Sequence, residues 1–166
     1  MPSRAKSSAA IRRFGAEMFR IERSGLSDIA RLRDFDPMAQ QDEDRRGQLA
    51  SWAARGQVQI AFTDSGVVGF AVLTEGFFHQ PFIEFVMVAE ANRRRGYGRA
   101  LVDHCVSLSP AAKVWTSTNE SNGAMQALLA KAGFILSGRV DNLDPGDPEL
   151  IFVHLPRVTP VESAAR

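Results

Sequence analysis

The chain has 166 residues, 45% of them apolar and 23% charged, with a formal net charge of +1 and a single cysteine. That length supports one domain around one substantial core, and near-neutrality excludes a global field that would commit the chain to nucleic acid or a membrane surface. A lone cysteine makes no internal disulfide, and no apolar run reaches the roughly 18 residues of a membrane span, so a soluble cytoplasmic protein is expected.

Residues 1–15 are polar, small and basic, with Arg4, Lys6, Arg12 and Arg13, and read as a flexible N-terminal extension. A short transit segment is the alternative reading, because acidic residues are missing before Glu17. The domain is expected over 16–156, with 157–166 as a C-terminal tail. Glu17 to Glu22 alternates weakly, as a first strand does. Ser24 or Ser27 then caps a helix carrying Leu26, Ile29, Ala30, Leu32 and Phe35, and Asp36-Pro37 breaks it. Asp42 to Ala54 reads as a second helix, with Leu49, Trp52 and Ala53 apolar and Gly56 as its stop.

Val58 to Phe62 and Val67 to Leu73 are strand-like runs joined by a hairpin signal at Asp64-Ser65-Gly66. Gly69 inside the second run marks a bulge or a close backbone approach. A loop from Glu75 to Pro81 is expected to deliver the chain to the strand Phe82 to Val88. A polar hinge follows, then the basic run Arg93-Arg94-Arg95, the glycines of Gly96-Tyr97-Gly98, and a helix from Arg99 with Ala100, Leu101, Cys105 and Leu108 on one face. Val114 to Thr118 is a further strand, Ala124 to Ala132 a short helix stopped by Gly133, Phe134 to Leu136 the start of a strand, and Leu150 to Leu155 the last strand after a turn-rich loop. This succession of strand, two helices, three strands, helix, strand, helix and two strands predicts a mixed α/β layered fold.

The stretch from strand to glycines to helix has a chemistry of its own. The first amides of a helix lack intrahelical partners and present partial positive charge to the loop before them. Glycines let that backbone approach a bulky phosphate, and arginines add attraction, which makes the loop an anion site. The dinucleotide fingerprint fits poorly, since its third small position falls on Leu101, and no Gly-Lys-Ser/Thr of a phosphate-binding P-loop follows. A nucleic-acid patch over Arg93 to Arg99 is disfavoured by the confinement of basic residues to one loop and the scarcity of aromatic platforms. A solvated basic turn before an ordinary helix is the bland alternative.

The run Arg93-Arg94-Arg95-Gly96-Tyr97-Gly98 resembles the acyl-CoA loop of the GNAT superfamily of N-acetyltransferases, and Asn119-Glu120-Ser121-Asn122, followed by a helix ending in Lys131-Ala132-Gly133-Phe134, resembles that family's second acyl-CoA segment. The motifs span roughly Ile83 to Leu136, and the strand order extends the likeness over most of the chain. The resemblance implies the GNAT-type acyl-CoA N-acyltransferase fold, a mixed central β-sheet flanked by helices. It also implies acetyl-CoA as co-substrate, held by Arg93, Arg94, Arg95, Gly96, Tyr97, Gly98 and Arg99, with Asn119 and Asn122 along its pantetheine arm. An amide at Met87 or Val88 would polarise the thioester carbonyl, and the acceptor would be an amine-bearing small molecule or peptide, acetylated by direct attack. One position departs from the pattern: Leu129 stands where the family often has a tyrosine to protonate the departing thiolate, and the chain's single tyrosine is Tyr97. A non-catalytic acyl-CoA-binding module with the same fold is therefore the runner-up.

For the proton acceptor the sequence offers Glu84, an acid inside an apolar strand, whose partly apolar surroundings would raise its basicity. An ion pair or simple exposure is the bland reading of the same residue. His79 is a rival catalytic residue, with Asp147 and Glu149 after it. Cys105 reads as core, and His104 and His154 as surface or strand-edge residues. No His, Cys and Asp cluster has metal-ligand spacing, so no metal is expected. Helices Leu26 to Phe35 and Asp42 to Ala54 and the loops at Phe77 and Asp144 would shape the acceptor pocket of a monomer or homodimer.

Overall fold

The structure is a computed structural model and describes residues 10–14 and 17–156. Its centre is a sheet of eight strands in the order β1-β2-β3-β4-β5-β6-β8-β7. These are β1 (Ala10–Phe14), β2 (Glu17–Arg23), β3 (Val58–Thr63), β4 (Gly66–Phe77), β5 (Gln80–Val88), β6 (Val114–Asn119), β7 (Ile135–Val140) and β8 (Glu149–His154). Every pairing is antiparallel except β5 with β6, which run parallel through the pairs Phe82↔Trp115 and Ile83↔Thr116 alone. Beyond Ile83 the two central strands part, and the sheet opens.

The expected extension over residues 1–15 contains a strand: β1 pairs with β2 from Ala10↔Ile21 to Phe14↔Glu17. The transit and tail readings at residues 1–9 and 157–166 lie outside the described residues. Three helices come before β3, α1 (Ile29–Phe35), α2 (Pro37–Gln41) and α3 (Glu43–Ala54). The first follows a 3-10 turn at Leu26–Asp28, which Asp28 fastens by accepting from the Gly25 amide at 3.0 Å, so neither Ser24 nor Ser27 is the cap. Proline breaks α1 as expected, yet Pro37 also opens α2, since its missing N–H costs nothing at a helix's first position. Asp36 caps α2 through Oδ1, and its Oδ2 accepts from Arg45 Nε at 2.7 Å in a buried ion pair. The Arg45 guanidinium lies 4.1 Å from the Phe85 ring centroid, which ties these helices to the sheet.

The expected loop from Glu75 to Pro81 is absent. β4 and β5 continue to a two-residue turn at Phe78 and His79, both with positive φ (51° and 59°), the handedness that matches the twist of a tight hairpin. After β5 come α4 (Tyr97–Ser107) and, between β6 and β7, α5 (Gly123–Lys131). The sheet separates two cores. On one side α1–α3 cover Ile60, Phe70, Phe85 and Met87; on the other, Leu101, Val102 and Cys105 of α4 and Leu129 of α5 cover Ala61, Ala71, Ile83 and Val114.

Candidate functional site

Where β5 leaves β6, the chain needs room on one side and a firm partner on the other. β4 is the partner. Val72 pairs with Phe85 but Leu73 with Ile83, so Glu84 is the extra residue of a β-bulge. Near the end of β5, Gly69 stands opposite Val88, and Ala89 N donates to Val68 O at 3.0 Å. Amides alternate along a strand, so Met87 N–H points towards β4 as Ala89 N–H does, while Val88 N–H points to the open edge. Of the two amides the sequence offers as carbonyl donor, Val88 is the one on that edge. Gly69 makes the approach possible, because a Cβ there would lie 2.6 Å from Met87 O.

The basic loop closes the open end. Arg94 and Gly96 both have positive φ (61° and 84°), and Gly96 is the N-cap of α4 with no side chain to satisfy the amides behind it. The first intrahelical bond runs from Ala100 N to Gly96 O, so the Gly98 and Arg99 amides have no acceptor within the helix. Gly98 sits where a Cβ would come within 3.1 Å of Leu128 Cδ1, so α4 and α5 approach closely there.

Between these elements runs a cleft of about 1020 Å³, lined by Val88, Arg93, Arg94, Gly96, Tyr97, Gly98, Arg99 and Asn122 together with Val86, Asn92 and one face of α5. It brings together most of the residues predicted to bind cofactor, and leaves out Met87, Arg95 and Asn119. Asn119 turns instead to the loop before β8, its Nδ2 donating to Asp144 Oδ2 at 2.8 Å. Arg99 is held by Asp103 through contacts of 2.8 and 2.9 Å. Tyr97 is buried edge-on against Phe19, with ring centroids 5.3 Å apart. Asn122 lines the cleft and also caps α5, accepting from Met125 N at 3.1 Å. Asn92, Ala124, Ala127 and Lys131 also line the cleft without having been predicted to bind cofactor; the last three recur at helical spacing along α5, a signal that was present in the sequence.

The catalytic candidates are placed differently. Glu84 is exposed, as the bland reading of the sequence had it, and not in partly apolar surroundings: the bulge turns it out of the apolar alternation. It lies on the strand edge where β5 and β6 separate, and has no hydrogen bond or ion pair among the described residues. His79 is exposed at the hairpin tip, nine residues of strand from Val88, about 30 Å at the usual rise. Asp147 is committed to Ser121, accepting from its amide at 2.9 Å and its hydroxyl at 2.6 Å. Leu129 is fully buried in the core. Cys105 is fully buried, and burial pushes its thiol up to about 12, which removes it as a nucleophile. His104, expected at the surface, is buried and bonds Gln59. Among the described residues no group of three or more His, Cys, Asp or Glu is placed to hold a metal ion, and no helix is long and apolar enough to cross a membrane.

The sequence model of the acetyltransferase (GNAT) family matches residues 25–134. Among solved structures, a GNAT-family acetyltransferase from Bacillus cereus ATCC 10987 is 34% identical over 84% of this chain and 99% of its own, with a TM-score of 0.77. The ribosomal-protein-S18-alanine N-acetyltransferase of Escherichia coli shares the fold at 20% identity, with 90% of this chain and all 100% of that one covered and a TM-score of 0.72. A protein described as a streptothricin acetyltransferase of Bacillus anthracis str. Ames, solved with acetyl coenzyme A, aligns at 21% identity over 60% of this chain and 61% of its own, with a TM-score of 0.53. No curated protein matches the chain.

Proposed function

The chain belongs to the acetyltransferase (GNAT) family, and from that premise we propose that it is a cytoplasmic N-acetyltransferase that moves the acetyl group of acetyl-CoA to a primary amine by direct attack. The observation that carries the reading is the cleft between the open end of β5, the Arg93–Arg99 loop and α5. Its residues fit the co-substrate: a phosphate-bearing group finds the loop amides and the guanidinium groups of Arg93 and Arg94, and Asn122 offers an amide side chain to a peptide-like arm.

Acyl transfer requires three things of the protein: a held thioester, a donor for the charge that develops on the carbonyl oxygen, and an acceptor for the amine's proton. Val88 N–H at the open edge is the donor in this reading. The amine nitrogen forms a bond to the carbonyl carbon, the carbon–sulfur bond breaks, and the thiolate leaves with the electron pair. Glu84 takes the amine's proton directly or through water. Its role in this reading rests on its position at the split between β5 and β6. The thiolate draws a proton from water, since Leu129 supplies none.

A second reading, an acyl-CoA-binding module, is favoured by one observation: the position where a family tyrosine often stands is a fully buried leucine. A thiol-release screen with acetyl-CoA and a panel of amines separates the two. Release that depends on an amine, with the acetylated amine found by mass, supports the enzyme. Saturable acetyl-CoA binding with no release against any amine supports the module.

A further inference from the structure

A second cavity, of about 630 Å³, opens at the far end of α4 from the cleft. That volume lies in the range of about 300–1,000 Å³ typical of small-molecule sites. Its wall contains buried polar groups that neither the cleft nor the core accounts for. Gln59 (4% exposed) and His104 (6% exposed) face each other there, Nε2 to Oε1 at 3.2 Å. Gln57 Oε1, in the same wall and close to Gln59 in sequence, is buried without a hydrogen-bond partner, an acceptor that lacks a donor.

The rim carries charge of both signs, the guanidinium groups of Arg23 and Arg55 and the carboxylate of Glu75, which suits a ligand bearing an anionic group and a hydrogen-bond donor. Arg23 Nε donates to Gly56 O at 2.6 Å and its Nη2 to Arg55 O at 3.4 Å, so the guanidinium lies across the two carbonyls that follow the C-terminal end of α3. Gly56 (φ +64°) leaves it that space, since a Cβ there would sit 2.5 Å from Arg23 Nε. These partners are neutral, and Arg23 has no carboxylate partner among the described residues. Ile21, Leu73 and Leu108 provide apolar wall between rim and floor. A ligand that satisfies all of this has a negative group for Arg23, a donor for Gln57 Oε1 and a short carbon body.

We propose that this cavity is a regulatory site for a small carboxylic acid that also carries a hydrogen-bond donor, the α-amino acids being the simplest members of that class. His104 and Leu108 belong to the C-terminal end of the helix whose N-terminal amides form the phosphate loop. A ligand against one end of α4 that prefers one position of the helix changes the affinity of the other end, and the change is reciprocal. The regulatory half rests on the acetyl-CoA reading; the site itself does not.

Calorimetric titration of the full chain without acetyl-CoA tests the site. The probes are free L-amino acids, 2-hydroxy acids, amino-acid amides and inorganic phosphate. At least one amino or hydroxy acid is expected to bind, with its amide at least about tenfold weaker, a margin typical of losing a charge-assisted contact. Gln57→Leu is expected to abolish that binding while melting no lower than the wild type, because it removes an unpaired acceptor. Arg23→Gln is expected to weaken it, and Arg23→Lys to restore part of it. With the acid saturating, acetyl-CoA affinity should shift about fivefold or more in either direction. Absence of binding by every probe, equal binding of the amide or of phosphate, or binding that survives Gln57→Leu would overturn the site. Unchanged acetyl-CoA affinity, or recovery of the bound acid in acetylated form, would overturn its regulatory role. A protein that binds the acid but ignores acetyl-CoA fails the function proposed above and leaves the site standing.

Discussion

Gly69→Ala puts the account of the open edge under direct strain. The added methyl would lie 2.6 Å from Met87 O, 3.2 Å from Leu101 Cδ1 and 3.3 Å from Val88 Cγ2. Side-chain carbons can rotate away, but the carbonyl belongs to the paired strand, so β4 and β5 must separate by several tenths of an ångström beside Val88. Overpacking a core costs about 1–3 kcal/mol, and a backbone contact places this substitution near the top of that range, at about 3 kcal/mol. For a chain of this size that corresponds to a fall in Tm of about 6–12 °C. The same displacement moves the Val88 amide relative to the cleft, and misplacement on that scale costs at least about tenfold in turnover. Thermal and urea melts, with acetyl-CoA kinetics on the variant below its Tm, measure both. A Gly69→Ala protein that melts within about 1 °C of the wild type and turns over normally would refute the reasoning.

Other perturbations separate backbone from charge. Gly96→Val or Gly98→Val should abolish acetyl-CoA binding in a folded protein, whereas Arg94→Ala should only weaken it, because the amides do the cradling; calorimetry on folded variants decides. Asn122→Ala should lower stability by about 1 kcal/mol as a lost cap and also raise the apparent acetyl-CoA constant, while Asn119→Ala, which releases Asp144, should leave that constant unchanged. Glu84→Gln should cut turnover at least about tenfold near neutral pH and spare acetyl-CoA affinity, and full activity there beside a loss in His79→Ala would move the role to His79. The Cys105 thiol, raised to about 12 against 9.0 for a free thiol, stays neutral in the fold while the unfolded chain ionises, so stability is unaffected below pH 9.0 and falls as pH rises towards 12. Cys105→Ala should flatten that alkaline slope in urea melts.

Local patterns announced much of the fold. Helical spacing in α3 and α4, the turn at Asp64-Ser65-Gly66 and the punctuating glycines at Gly56 and Gly133 place those elements to within a few residues. The phosphate loop was legible because its chemistry is local, with glycines and arginines directly before a helix. What stayed hidden depends on partners distant in sequence. β1 is short and basic, and is a strand through its pairing with β2. The turn at Phe78-His79 lacks the glycine or asparagine that usually marks positive φ, so it reads as a loop. For Glu84 the sequence left partly apolar surroundings and simple exposure both open, and the bulge that decides for exposure is set by β4 across the sheet. His104 looked exposed because its partner, Gln59, lies forty-five residues away on β3.

The measurement that tests the central claim most directly follows the acetyl group itself. Isotope-labelled acetyl-CoA is incubated with the protein and the amine panel, and the labelled carbonyl is observed by NMR, for the wild type and for Gly98→Val. The account predicts that the thioester resonance gives way to an amide resonance with at least one amine in the wild type, and persists in the folded variant. Persistence of the thioester with every amine in the wild type, or equal conversion by Gly98→Val, would contradict it.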